Sequence, residues 1–286
     1  MKVLVTGATG FVAGKLVPHL ARAGHFVIAA GHDPSRIVAA TGAEPLHWDL
    51  LEPGLPTGVP DRLDAIVHLA QANVPFPDRA AEMFAVNVAS TQRLLELARA
   101  TGVRRVVFTS SGSIYGAGDR PWTESDRTEG AGYYAATKVA AERLVRGFGD
   151  IVPYSIFRLF APYGPGQRGR LVPNLISRVS SGAPVTVASG LGPAYNPLHV
   201  SHVVDVLTQS LDAAGDQVLN LGGDEALTVR DMALTVGRVV GREPVIQKQA
   251  GAPDRFVGDV SQLRRAYRLP DRLVSFEDGV RAMISS

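Results

Sequence analysis

No cysteine occurs in the 286 residues, which excludes disulfides, thiolate chemistry and cysteine-ligated metal. A surplus of one charge is also lacking. The formal net charge is +2 with 20% charged residues, and no basic run stands out, so charge implies neither nucleic acid nor an anionic membrane as partner. No stretch approaches the roughly 20 apolar residues of a membrane span. The opening Met1-Lys2-Val3-Leu4-Val5-Thr6-Gly7 is too short for the apolar core of a signal peptide. A cytoplasmic location is the resulting expectation. Internal repeats and low-complexity segments are missing, and no His/Asp/Glu cluster has metal-ligand spacing, so no metal is expected. What remains is an ordinary globular composition, 45% hydrophobic. The length suits one large domain or two intimately joined ones.

Short apolar runs alternate with helical patterns through the first half. Strands are predicted at Lys2–Thr6, Phe26–Ala30, Ala65–Leu69, Arg105–Thr109 and Tyr154–Leu159, with helices at Phe11–Ala23, Arg79–Ala100 and from Tyr134 to about Arg146. Gly24 and Gly102 follow the first two helices as stop signals. Such alternation predicts an α/β fold with a doubly wound parallel sheet of Rossmann type. Continuous runs such as Val106-Val107-Phe108 fit burial on both faces. After Phe160 the texture changes. Ala161–Gly169 and Gly182–Pro197 read as long loops, Leu198–Leu211 and Thr228–Gly241 as helices, Gln217–Leu221 as a strand, and Phe276–Ile284 as a final helix. The expected division is a dinucleotide-binding domain at 1–160 and 198–222, with a smaller substrate-binding cap at 161–197 and 223–286.

Gly7-Ala8-Thr9-Gly10-Phe11-Val12-Ala13-Gly14 joins the first strand to the first helix. In that place a glycine-rich turn lets backbone approach a pyrophosphate, which the helix N-terminus attracts. Gly7, Thr9, Gly10, Phe11 and Val12 are the candidate contacts; Ala13 stands where a third glycine is usual, and still permits close packing. An acid at the end of the second strand would hold a ribose and repel a 2′-phosphate. Gly31 occupies that position, with His32 and Arg36 able to face a phosphate or to be solvated turn residues, and Asp33 able to reach a ribose if the loop bends back. NADP(H) is preferred on this basis, with NAD the alternative. Asp49 can accept from an adenine amino group while Leu50 packs on the ring, or can be a surface carboxylate before a turn.

Tyr134 and Lys138 lie four apart, on one helical face. A nearby ammonium favours the phenolate of a tyrosine, which can then exchange a proton with an alcohol or carbonyl. The spacing alone equally describes an amphipathic helix with a surface lysine. Order decides between them: Thr109-Ser110-Ser111-Gly112-Ser113-Ile114-Tyr115-Gly116 follows a central strand, where parallel sheets place their active sites, and precedes the Tyr/Lys helix.

With these motifs the chain resembles the extended short-chain dehydrogenase/reductase family, in its nucleotide-sugar epimerase/dehydratase branch. The resemblance also runs through His68-Leu69-Ala70, Asn87-Val88, Arg158-Leu159-Phe160, Tyr163-Gly164-Pro165-Gly166-Gln167, Leu198-His199-Val200 and Asn220-Leu221-Gly222-Gly223. It implies Ser111, Tyr134 and Lys138 as catalytic residues, with Ser113 as a second hydroxyl. It implies Leu69, Ala70, Phe160, Tyr134 and Lys138 beside the cofactor, and a homodimer. Family members bind NAD or NADP on a Rossmann domain and sugar nucleotides under a C-terminal cap.

Departures from the family pattern bear on substrate. Ala161 stands where Asn is frequent, Tyr195 where Arg often grips a pyrophosphate, and Ser201-His202 where an Asp is usual. Arg168 and Arg170 can replace the lost charge or be solvated loop residues. Tyr163, Gln167 and Asn174 are candidate substrate contacts or loop-shaping residues. His68 and His199 read as structural. Gly112 and Ser113 follow Ser111 where dehydratases of the family carry an acid/base pair, which disfavours dehydration. The expected activity is epimerisation or ketone reduction at a carbinol or carbonyl carbon of a sugar or sugar nucleotide. The alternatives are an NADPH-dependent reductase of a non-nucleotide ketone or aldehyde, and a non-catalytic dinucleotide-sensing protein.

Overall fold

The computed structural model describes residues 1–37, 42–252 and 254–285. The expected end of the cap, residue 286, lies outside them. The elements in chain order are β1 (Lys2–Thr6), α1 (Ala13–Arg22), β2 (Phe26–Gly31), β3 (Ala43–His47), β4 (Ala65–His68), α2 (Ala80–Phe84), α3 (Ser90–Thr101), β5 (Arg105–Ser111), α4 (Tyr133–Gly147) and β6 (Tyr154–Leu159). There follow β7 (Pro162–Tyr163), α5 (Leu171–Ser181), β8 (Val185–Ala188), β9 (Ala194–Tyr195), β10 (Leu198–His199), α6 (Val200–Gln209), β11 (Gln217–Leu221), β12 (Leu227–Thr228), α7 (Val229–Val240), β13 (Ile246–Gln249), β14 (Arg255–Phe256), α8 (Ser261–Ala266) and α9 (Phe276–Ile284).

A seven-stranded sheet has the order β11-β6-β5-β4-β1-β2-β3. β1 pairs in parallel with both β2 and β4, β2 with β3, and β4 with β5. This is the doubly wound arrangement expected of the alternating pattern, with its reversal of strand order between β1 and β4. Val3, Leu4, Val5, Ile66, Val67, Val106, Val107 and Phe108 are all buried, as strands covered on both faces require.

The chain divides into two compact units. The first holds Met1–Ile114, Thr128–Arg158 and Val204–Leu219; the second holds Tyr115–Arg127, Leu159–Val203 and Asn220–Ser286. In the first, one hydrophobic core joins Leu4, Ile28, Trp48, Ile66, Leu94, Leu95, Phe108, Ala141 and Ile156. In the second, Val172, Leu175 and Val179 of α5 share a core with Val185 and Val187 of β8, Met232 and Val236 of α7, and Phe276 and Val280 of α9. Thr228 and Asp231 cap α7 reciprocally, and Ser275 caps α9.

Some elements differ from their sequence patterns. The first helix starts at Ala13 rather than Phe11, because residues 11 and 12 complete the glycine turn. The long helix expected over Arg79–Ala100 is broken by a π-helical turn at Ala85–Ala89. There Ser90 and Thr91 return their hydroxyls to the Val86 and Asn87 carbonyls at 2.6 and 2.8 Å, which competes with the regular ladder. Leu198 and His199 form β10 before α6 begins. The supposed loops at Ala161–Gly169 and Gly182–Pro197 contain β7, β8 and β9. Val185 and Val187 alternate inward along β8, a period-two signal shortened by the flanking Gly and Pro residues. Helix α5 was not anticipated.

Arg158 on β6 and Glu142 on α4 form a buried pair in the first unit, with contacts of 3.1 and 2.8 Å and side chains 2% and 5% exposed. Removing one member strands the other's charge. Glu142→Ala is expected to lower unfolding stability by about 3–5 kcal/mol, as read by urea denaturation.

Candidate active site

The carboxyl ends of β1 and β4 meet at the reversal of strand order, the place where such sheets bind ligands. Gly7 follows β1 with φ +68°, and a Cβ on it would lie 2.8 Å from both Ala70 N and Ala70 Cα. Only glycine supplies both that backbone and that space. The Gly10 amide closes the turn on the Gly7 carbonyl at 2.8 Å. Helix α1 has no side-chain cap, so its first N–H groups have no side-chain acceptor and suit a phosphate. Thr9, Phe11 and Val12 are half-buried around this end and Gly10 is exposed, while Leu69 and Ala70 are half-buried beyond β4. The turn therefore fits a dinucleotide pyrophosphate.

At the end of β2, Gly31 is buried, and a Cβ there would sit 3.4 Å from Thr9 Cγ2. Asp33 turns its carboxylate onto its own loop, accepting from Ser35 N at 3.2 Å and Ser35 Oγ at 2.5 Å. The Ser35 hydroxyl holds this carboxyl below the usual range. His32 and Arg36 are exposed. Asp49 accepts from Leu51 N at 2.9 Å, which secures a turn, and Leu50 packs partly against the core.

Ser111 ends β5 and Ser113 follows it in a short 3-10 turn. Ser113 Oγ donates to Ser111 Oγ at 2.9 Å. Tyr134 lies half-buried in the first turn of α4. Its hydroxyl donates to Gln71 Oε1 at 2.7 Å. Lys138, one turn further, is 1% exposed. Its Nζ donates to the Thr109 carbonyl at 2.7 Å and lies 4.4 Å from the Phe108 ring centroid. Burial pulls this ammonium from 10.5 down to about 7, against the opposing charge of Glu142. His68 is buried between Thr6 Oγ1 at 2.6 Å and Thr91 Oγ1 at 3.3 Å. Burial, and then Lys138, lower it from 6.5 to about 3; it is neutral and structural.

The second unit holds the remaining sequence candidates. Phe160 is buried, stacked 6.1 Å from Tyr115. Tyr163, read as a substrate contact or a loop-shaping residue, belongs to the core. It is 1% exposed, packs on Phe276 at 5.2 Å and donates its hydroxyl to the Ser275 carbonyl at 3.2 Å. That corrects the contact reading in favour of the packing one, because the ring and its hydroxyl are both engaged internally. Gln167 donates to the Pro162 carbonyl at 2.7 Å and so shapes its loop. Arg168, Arg170 and Asn174 are exposed. Tyr195 is half-buried and stacks on Phe256, with centroids 5.5 Å apart at 15°. His199 Nδ1 bonds Ser201 Oγ at 2.8 Å, and His202 Nε2 accepts from Val274 N at 2.9 Å. Ala161 has φ +43°, a region that asparagine enters more readily than alanine. Among the described residues, no group of three or more His, Asp or Glu could hold a metal ion.

Sequence reasoning missed Gln71. A lone amide after a strand belongs to no motif and no periodicity, so nothing in the chain marks it. Asn87 was noted only as part of a resemblance. Its side chain bonds both the Ala72 carbonyl and the Ala72 amide at 2.8 Å, and donates to Thr137 Oγ1 at 3.0 Å.

The model of the NAD dependent epimerase/dehydratase family matches residues 3–222. UDP-glucuronate 4-epimerase 1 of Arabidopsis thaliana is 29% identical over 267 residues, covering 80% of this chain and 62% of that protein. A 3 beta-hydroxysteroid dehydrogenase/Delta 5-->4-isomerase of Mycobacterium tuberculosis is 36% identical over 157 residues, 50% of this chain and 42% of that one. The chain thus spans under two thirds of the length of these relatives. The structure of MoeE5 in complex with UDP-glucuronic acid and NAD superposes with a TM-score of 0.86 at 29% identity, covering 100% of this chain and 98% of that one. The chain belongs to the NAD dependent epimerase/dehydratase family, within the extended short-chain dehydrogenase/reductase class.

The buried His68 carries a pH signature. The folded state keeps it neutral down to about 3, whereas the unfolded chain protonates it near 6.5. Stability therefore falls as pH drops from 6.5 towards 3, by at most about 1.4 kcal/mol per unit from this group. His68→Gln is expected to flatten that acid limb in denaturation curves taken across this window; an unchanged slope would contradict the assignment.

Proposed function

We propose that this chain is an NAD(P)-dependent epimerase or ketoreductase acting at a carbinol or carbonyl carbon of a sugar or sugar nucleotide, with Tyr134 as the acid/base. One observation carries the reading. Tyr134 stands one helical turn before a lysine sealed against the end of β5, and the Ser111–Ser113 hydroxyl pair ends the same strand. A bound nicotinamide dinucleotide supplies the two-electron acceptor or donor. The chain's own residues handle the proton. The Tyr134 phenolic oxygen takes a proton from the substrate hydroxyl or returns one to its carbonyl. Ser111 Oγ, accepting from Ser113, keeps its own hydrogen to donate to the substrate oxygen. Lys138 anchors the helix on the Thr109 carbonyl and, in its protonated form, favours the phenolate.

The cofactor-binding set is Gly7, Thr9, Gly10, Phe11, Val12, Leu69, Ala70, Asp49 and Leu50, with Phe160, Tyr134 and Lys138. NADP(H) is the preferred form. Asp33 is committed to Ser35, while His32 and Arg36 stay exposed for a 2′-phosphate. NAD is the competing form, and MoeE5 was solved with it. Arg168, Arg170 and Asn174 are the exposed substrate candidates of the second unit, which serves as the cap. Gln167 and Tyr163 support that loop from within. A homodimer in the cytoplasm is the proposed state.

A second reading has its own observation. The Tyr195–Phe256 stack offers an aromatic face where the family often has arginine, which suits an NADPH-dependent reductase of a non-nucleotide ketone or aldehyde. Identification of nucleotide released from the purified protein separates the readings. Retained NAD+ with turnover of UDP-glucuronic acid and no added cofactor supports epimerisation. An empty site with NADPH oxidation on a ketone panel supports reduction. Nucleotide binding without turnover on either panel supports a sensor.

In whichever assay shows turnover, Tyr134→Phe is expected to lower kcat by roughly 10²–10⁴-fold with nucleotide affinity retained in a direct binding titration. Undiminished turnover would refute Tyr134 as the acid/base.

A further inference from the structure

The segment after β4 is fastened to the first turn of α4 at successive points. Asn87, from the π-helical turn, brackets Ala72 through both its amide and its carbonyl at 2.8 Å. The same side chain donates to Thr137 Oγ1 at 3.0 Å, and Thr137 Oγ1 donates to the Tyr134 carbonyl at 2.8 Å. Further along, the Phe76 ring stacks on Tyr133, with centroids 5.0 Å apart at 21°. On the other side, Ala70 abuts the glycine turn. Gln71 lies between these fixed points. It is exposed to solvent, yet its Oε1 accepts from the Tyr134 hydroxyl at 2.7 Å.

We propose that Gln71 is a positioning residue for Tyr134, holding the phenol on the face where the reacting oxygen binds and partnering it in both protonation states. The assignment rests on the reading of Tyr134 as the acid/base. An exposed glutamine gives up side-chain entropy when it is held in one geometry. Here the backbone on both sides is already fixed, so only the side-chain torsions are lost. The chemistry of the amide is what distinguishes it. Its oxygen accepts from the neutral phenol; turned over, its NH₂ donates to the phenolate. A carboxylate in the same place could only accept, and an ammonium could only donate. Glutamine therefore keeps Tyr134 hydrogen-bonded through a proton transfer without taking up or losing a proton itself. The titratable groups on the flanking elements are Tyr133 and Lys138 of α4 and His68 of β4; Lys138 and His68 are lowered to about 7 and about 3. Both have changed charge before an ordinary tyrosine titrates near pH 10.

The test uses opposite charges at position 71 in the full-length protein. The phenolate absorbance of Tyr134 is obtained by subtracting the titration of Tyr134→Phe made in the same background. Gln71→Glu is expected to move the Tyr134 titration alkaline by about one unit or more, and Gln71→Lys to move it acid by a similar amount. Gln71→Met, of similar length and without hydrogen bonds, is expected to lower kcat about tenfold while leaving KM within about twofold, in the assay that shows turnover. Thermal unfolding of each variant controls for misfolding, and either charged variant alone suffices to read the shift. A Tyr134 titration unmoved by both charges overturns the Gln71 assignment, as does an unchanged kcat in Gln71→Met. Full turnover in Tyr134→Phe instead overturns the reading on which it rests, and the absorbance titration remains readable in that case.

Discussion

A lysine side chain kept dry against the end of a strand is the constraint from which the first unit's chemistry follows. Lys138 is almost wholly buried, and its ammonium reaches the Thr109 carbonyl. A buried charge needs such a partner. Satisfying it ties α4 to β5 at one register, and that register puts Tyr134 one turn back along the same face. The neighbouring histidine obeys the same constraint. His68 sits beside a cation in a dry interior and so stays unprotonated, working as a hydrogen-bonding link between Thr6 and Thr91. Burial weakens the charge of Lys138 even as the Thr109 carbonyl and the Phe108 ring support it. Its service to Tyr134 is therefore as much geometric as electrostatic.

The second unit is organised around a different idea. Its core is aliphatic and aromatic, formed by α5, α7 and α9 on short strands. Several of its polar side chains donate to backbone carbonyls far along the chain: Tyr163 to Ser275, Asn196 to Gly223 and Gly258, and Asn220 to Trp122 and Asp259. These long-range bonds hold segments that have little secondary structure of their own. The side chains of Arg168, Arg170 and Asn174 stay outward. A scaffold knitted internally can change its exposed residues without losing shape, which is how one fold serves different substrates.

The sequence made the sheet legible because buried strands read as apolar runs and glycines mark helix ends, as at Gly102. It raised Tyr134, Lys138 and Ser111 as candidates through their order along the chain. Three kinds of feature were hidden. Strands β8 and β13 pair across a long interval, and four residues between glycines carry too little period to announce a strand. The π-helical turn lies inside an otherwise continuous helical pattern, and no residue of Ala85–Ala89 is a helix breaker that would announce it. Gln71 is significant only because folding brings it to a tyrosine 63 positions later. Tyr163 shows the converse. A tyrosine in a loop-like motif invites a binding role, but long-range packing against Phe276 had already claimed it.

Ala161 holds a left-handed backbone, at φ +43°, without the side chain that would make that conformation comfortable. The bend is imposed from outside, by strand pairing that resumes on either side: Phe160 N bonds the Leu221 carbonyl, and Leu198 N bonds the Ala161 carbonyl. Asparagine or glycine would sit at this corner with less strain, and a β-branched residue with more. The corner following β6 therefore selects its residue by backbone tolerance before any contact the side chain makes.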